Sequence, residues 1–142
     1  MSSGNERIHP RVLHPIHGAL LAGAIPLFLG ALISDYAYSV SYHVQWANFA
    51  SWLIVGGLIF SGCALLWSII HLIFFRNRDG LTIGYSLLIL ITWILGLYNA
   101  LIHTKDAWAT MPIGMIMSLF VVLFACISTW IGFAKFGVGG TR

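Results

Sequence analysis

Four long apolar runs alternate along the chain with short polar connectors. The runs extend over about 12–38, 46–75, 81–103 and 111–136, and the connectors over 39–45, 76–80 and 104–110. A helix crossing ~30 Å of hydrocarbon at ~1.5 Å per residue needs roughly 20 residues, and each run is long enough. Strands in lipid would require a closed barrel and a two-residue alternation of apolar and polar positions, which these runs lack. Short connectors make sequential helices antiparallel neighbours. The pattern therefore predicts an all-α membrane protein, an up-down four-transmembrane-helix bundle forming a single domain over residues 1–142.

Composition agrees with that pattern. Charged residues make up 8% of the 142 residues and hydrophobic ones 59%, whereas a soluble domain carries about 25% charged residues. What remains outside the four runs is too short for a separate soluble domain of useful size. Cys63 and Cys126 both fall inside apolar runs without CxxC spacing, and they read as small buried hydrophobes, not as a disulfide or a zinc site.

A pI near 9.1 raises the question of a nucleic-acid partner, but the positions of the cations remove it. Arg7 and Arg11 precede the first run, Arg76 and Arg78 occupy the second connector, and Lys135 and Arg142 end the chain, with only Lys105 on the opposite side. By the positive-inside rule this predicts N-in and C-in topology, with the lipid bilayer of a bacterial inner membrane as the environment. The first run is too long for a cleaved signal peptide, and His-Pro-Ile-His is a poor positively charged leader. Tyr36, Tyr38, Tyr42, Trp46 and Trp108 flank the two outer connectors, as interfacial aromatic belts do. Pro15 and Pro112 suit first turns of helices, while Pro26 falls mid-span. Glycines such as Gly56, Gly57 and Gly96 allow close helix approach or space for a flat cofactor, without forming a firm dimerisation motif.

Six histidines remain in a chain poor in charge, mostly where apolar runs begin or end. Ionisable groups at membrane depth are costly and are functional candidates by default. His14 and His17 open the first run, and His71 lies near the end of the second. His17 is six residues past Arg11 and His71 five residues before Arg76, so the two imidazoles share a depth on antiparallel helices. Two facing histidines from different helices are what bis-histidine haem ligation requires. Arg11 and Arg76 are at the level to pair with propionates, and His14 is a neighbouring candidate. On the outer side, His43 and His103 form the candidate pair for a second haem, and Asn99 and His103 share a helix face at i, i+4. An alternative for this outer set is a proton-handling or partner-contact cluster of Asp35, His103 and Asp106. His9 belongs to the polar N-terminal tail. A bare-metal site is disfavoured, because the histidine-bearing ends lack cysteine and have few carboxylates.

Two segments resemble a known family. His-Pro-Ile-His at His14–His17 and the stretch YNALIHTKDAWATMP at Tyr98–Pro112 resemble the bacterial membrane proteins of domain of unknown function 2231, and the resemblance runs from His14 to about Phe133. It implies a small four-helix integral membrane protein. Some members resemble proteins encoded beside quinoprotein (sorbosone-type) dehydrogenases, which implies a respiratory role between a periplasmic quinoprotein dehydrogenase and the quinone pool. Members often place His and Asn close together near the end of the second helix, whereas Asn77 follows His71 here by six residues.

These readings combine into an expected cytochrome b-like electron-transfer subunit. One haem b would be held by His17 and His71 and a second by His43 and His103. Its partners would be a periplasmic dehydrogenase or other respiratory subunit and quinone, with no nucleic acid. It would not be a stand-alone enzyme, because no nucleophile–base pair or phosphate loop is visible. The competing expectation is a cofactor-free membrane anchor or assembly subunit, with the histidines as interfacial hydrogen-bonders. A small transporter or proton conduit using Asp35, Asn99 and His103 is the third.

Overall fold

The computed structural model describes residues 13–74 and 79–136. Four long helices and one short one follow each other: α1 Pro15–Ser41, α2 Val44–Phe74, α3 Gly80–Ile102, α4 Ala107–Thr110 and α5 Ile113–Phe136. The four long helices are long and apolar enough to cross a membrane. α1 packs against α2 and α5, and α3 packs against the same two. The bundle is therefore closed by α5 returning to α1, and the parallel helices α1 and α3 face each other across a diagonal.

The helix ends depart from the sequence expectation by a few residues, for local reasons. α1 starts at Pro15 because His14 caps it: the His14 Nδ1 accepts from the Ile16 N–H, and proline needs no donor partner in the first turn. α1 continues to Ser41, three residues past the expected end, and stops where Tyr42 adopts φ 57° and its N–H bonds to the Tyr38 carbonyl. Only Tyr42 and His43 separate α1 from α2. The expected connector 104–110 contains α4, whose first turn closes on the Asp106 carbonyl through the Ala109 and Thr110 N–H groups. Tyr42 stacks on Trp108 at 5.9 Å between ring centroids and packs edge-on to Tyr38 at 6.5 Å, so the connectors that follow α1 and α3 share one aromatic cluster.

Lipid is as apolar as the core, so the helices are held by close packing and by satisfying polar groups internally. Hydroxyls of Ser34, Ser61, Ser86 and Ser128 donate back to carbonyls one turn earlier on their own helices. The Trp93 indole N–H reaches the Leu58 carbonyl of α2 at 3.3 Å. The Trp67 indole stacks on the His14 ring at 4.8 Å, and Trp52 faces outward, 71% exposed. A Cβ at Gly57 would lie 2.6 Å from the Phe28 ring, whereas one at Gly96 would meet Leu58 at 3.0 Å and the ring at an ordinary contact distance of 3.4 Å.

The buried face of α1 includes His17, Leu21, Ala24, Phe28, Ala31 and Asp35. Those positions advance by alternating steps of four and three, the seam of a packed bundle. The buried face of α3 includes Tyr85, Ile89, Thr92, Gly96 and Asn99. Across the diagonal these residues form layers. The layers alternate between hydrogen-bonding groups and apolar ones along the bundle axis.

Candidate functional site

Asp35 is fully buried in α1, and its carboxylate is held from two directions. His103, the residue that caps the end of α3, places Nε2 2.8 Å from Asp35 Oδ1. Ser118 of α5 donates its hydroxyl to Asp35 Oδ2 at 2.5 Å. Ser118 in turn accepts from Asn99 Nδ2 at 2.9 Å, and His103 Nδ1 lies 2.9 Å from the Asn99 backbone carbonyl. The circuit therefore starts and ends at Asn99, and joins α1, α3 and α5.

The proton inventory follows from these partners. A carbonyl oxygen only accepts, so His103 Nδ1 carries a hydrogen. The bond between Nε2 and Oδ1 then holds one proton, on nitrogen as an imidazolium–carboxylate pair or on oxygen as a neutral pair. Ser118 and Asn99 donate toward the carboxylate in either case. Asn99 Oδ1 is buried and has no hydrogen-bond partner. The cluster thus has a fixed scaffold, one proton with two positions, and an open acceptor beside it.

A second buried pair occupies the other end of the same diagonal. His17, 3% exposed, meets the Tyr85 hydroxyl of α3 through Nε2 at 2.9 Å. His17 Nδ1 is buried without a partner. Both pairs join α1 to α3 with the same separation of 68 residues. Along α1, His17 and Asp35 are five helical turns apart, about 27 Å, close to the ~30 Å of a hydrocarbon core. The two pairs are therefore separated by about the thickness of a hydrocarbon core.

Between the two ends run further polar contacts. Ser68 of α2 and Ser86 of α3 share a hydrogen bond at 2.6 Å, next to the Tyr85 layer. Thr92 of α3 meets Ser128 of α5 at 3.1 Å. Leu21 and Ile89 separate these two levels within one apolar cluster. Phe28, 1% exposed, separates the Thr92 level from the Asn99 level, its ring packed with Val121, Val122 and Ala125 of α5.

The residues singled out from sequence distribute unevenly over this arrangement. Asp35, Asn99 and His103 come together in one cluster. Asp106 does not join them: it is exposed and supplies its backbone carbonyl to α4. His43 is exposed in the Tyr42–His43 connector, its N–H bonded to the Ser41 hydroxyl. His17 is buried against Tyr85 on α3, whereas His71 is exposed on α2. Arg11 and Arg76 lie outside the described residues, as do Arg7, Arg78, Arg142 and His9. Ser118 and Tyr85 were not anticipated, although each is a polar group inside an apolar run and needs a partner in lipid.

The haem expectation can be set against this geometry. His17 offers one unpartnered buried nitrogen, but the core at its level is filled by Leu21, Ala64, Leu65, Tyr85 and Ile89. A macrocycle does not fit there without displacing them. For the outer pair the fit fails in this arrangement, because both ring nitrogens of His103 are engaged. Among the described residues, no group of three or more His, Cys, Asp or Glu side chains is placed to hold a metal ion. A groove of about 350 Å³ between α1 and α5 is lined by Leu32, Ile33, Tyr36, Met115, Ile116 and Leu119, and is almost wholly apolar.

Comparison with curated proteins and with solved structures gives no match. A family model described as a predicted membrane protein, DUF2231, matches residues 13–139, nearly the whole of the bundle. The chain is a multi-pass membrane protein and belongs to the DUF2231 family.

Proposed function

We propose that this protein handles protons within the membrane, with Asp35 and His103 as the exchanging pair. One observation carries the reading: a fully buried carboxylate faces an imidazole at 2.8 Å, in a bond whose single proton has two positions. Carboxylate–histidine chains at membrane depth are the usual material of proton relays. Ser118 and Asn99 hold the carboxylate in place, and the unpartnered Asn99 Oδ1 provides an acceptor for an incoming donor. With the orientation expected from the charge pattern, this pair lies toward the outer face.

The test is proton flux into proteoliposomes under an imposed pH gradient, followed with an entrapped pH-sensitive dye. Protein-dependent flux that Asp35→Asn and His103→Gln each reduce at least tenfold supports the reading. Flux unchanged in both variants, at equal helical content, overturns it.

Electron transfer by a cytochrome b-like subunit is a second reading, and the unpartnered His17 Nδ1 favours it. His17 and His71 would hold the haem, and Arg11 and Arg76 are the sequence candidates for pairing with its carboxylates. Haem would supply a one-electron couple. A periplasmic dehydrogenase and quinone would then be the partners, and the protein would work in a bacterial inner membrane. The absorption spectrum of the purified, dithionite-reduced protein tests this reading directly. Soret and α bands that His17→Ala removes support it, and a flat visible spectrum after expression with ample haem rules it out.

A further inference from the structure

We propose that the α1–α3 diagonal is a proton path between the two membrane faces, closed in this structure by the ring of Phe28. The inference rests on the reading of Asp35 and His103 as a proton-exchanging pair, and extends it to the rest of the core. The observation behind it is the matched register of the two ends. His17 with Tyr85 and Asp35 with His103 are both separated by 68 residues. They are the terminal layers of one seam, not two unrelated polar pockets.

The layers between them alternate in kind. Next to the His17–Tyr85 end, Ser68 and Ser86 are hydrogen-bonded to each other. Leu21 and Ile89 form the first apolar layer. Thr92 and Ser128 form a polar layer, opposite the small side chain of Ala24 on α1. Phe28 and Gly96 form the second apolar layer, and they share the 68-residue offset of the end pairs. Asn99 and Ser118 follow, opposite Ala31, and lead into Asp35 and His103.

The Phe28 layer is the longer of two barriers: the step from Ser86 to Thr92, past Leu21 and Ile89, covers six residues of α3, about 9 Å, and the step past Phe28 covers seven. From Thr92 to Asn99 is two turns of α3, about 10 Å, too far for a proton to cross without an intervening carrier. The carrier would be water, and water is excluded while the ring occupies the space left by Gly57 and Gly96. Two glycines provide a slot for the ring but no side chain that would replace it. When the ring leaves, the space it vacates connects two layers that already carry hydroxyl and amide groups. Apolar constrictions that gate by excluding water are an established device in membrane channels. His17 Nδ1 and Asn99 Oδ1, buried and unpartnered at opposite ends, are the positions where such a water chain would terminate.

The same proteoliposome assay tests the gate with Phe28→Ala, Phe28→Leu and the double variant Phe28→Ala/Asp35→Asn. The expected result is a several-fold rise in proton flux for Phe28→Ala, with a smaller rise for Phe28→Leu. That rise disappears in the double variant. Phe28→Leu keeps an apolar side chain in the slot and serves if the alanine variant does not fold. Wild-type rates in the folded Phe28 variants overturn the gate, as does a rise that survives Asp35→Asn, which marks a leak off the path. If Asp35→Asn abolishes wild-type flux while the Phe28 variants leave it unchanged, only the gate falls. If Asp35→Asn has no effect on wild-type flux, the reading of the Asp35–His103 pair falls.

Discussion

Asp35→Ala lowers the stability of the folded bundle by about 3–5 kcal/mol, the cost of breaking a buried ion-paired or hydrogen-bonded charge pair by removing one partner. The loss is large because the carboxylate is shared. Without it, His103 Nε2 loses its buried partner and the Ser118 hydroxyl loses its buried acceptor. The circuit that ties α1 to α3 and α5 then opens at its centre. Asp35→Asn keeps the shape and one acceptor, so it costs less, about 1–3 kcal/mol. Unfolding in mixed micelles, followed by far-ultraviolet circular dichroism at increasing denaturing detergent, measures both. A shift for Asp35→Ala within about 0.5 kcal/mol of the parent, as a surface substitution gives, would contradict the burial and bonding described here.

Phe28→Ala costs about 3 kcal/mol, at the lower end of the range for removing a buried phenylalanine ring. In lipid the transfer of the ring away from water contributes little, because the surroundings of the separated helices are themselves apolar. The cavity remains, because Gly57 and Gly96 cannot relax into it. The same geometry predicts the sign of a coupling. Gly57→Ala alone pushes a Cβ to 2.6 Å from the ring and destabilises. Combined with Phe28→Ala, the added methyl fills part of the void, and the double variant is more stable than the sum of the two losses predicts. Four proteins in a double-mutant cycle, unfolded under the same conditions, give this coupling energy. Strict additivity would mean that ring and glycine do not share the slot.

Much of the fold was readable from the order of apolar and polar residues. Length and hydropathy alone identify four membrane-crossing helices, because a lipid-spanning segment has few alternatives. The ends were less accurate, since they depend on caps such as the His14 side chain and the left-handed Tyr42, not on hydropathy. α4 was hidden for the same reason, a single turn within a polar connector. Which face of each helix turns inward was hardest to read. A helix between lipid and an apolar core is hydrophobic all round, so the usual amphipathic contrast is missing. Minor polar residues carry that information here. Thr82, Tyr85, Ser86, Thr92 and Asn99 mark the inner face of α3.

The candidate site was half visible. Asp35, Asn99 and His103 stand out as ionisable or amide groups in apolar surroundings, and the segments around His17 and His103 carry the family resemblance. Their partners did not stand out, because Ser118 and Tyr85 resemble ordinary packing residues until a helix across the bundle is seen. Matched depth drew attention to His17 and His71, since it can be counted from charge markers on neighbouring helices. Counting cannot give rotation about the helix axis. In the structure His17 turns across the diagonal to Tyr85, and His71 stays at the surface.

Proton handling by this bundle requires Asp35 to exchange a proton while buried in the folded protein. Infrared difference spectroscopy of the protein in lipid, recorded between alkaline and acidic buffer, reads this directly from the carboxylic-acid C=O stretch. The account predicts a reversible band that appears on acidification, shifts when His103 is replaced by Gln, and is absent from Asp35→Asn. A spectrum in which Asp35→Asn removes no pH-dependent band, across the range where the helices stay folded, would contradict it and leave the cluster as a structural tie between helices.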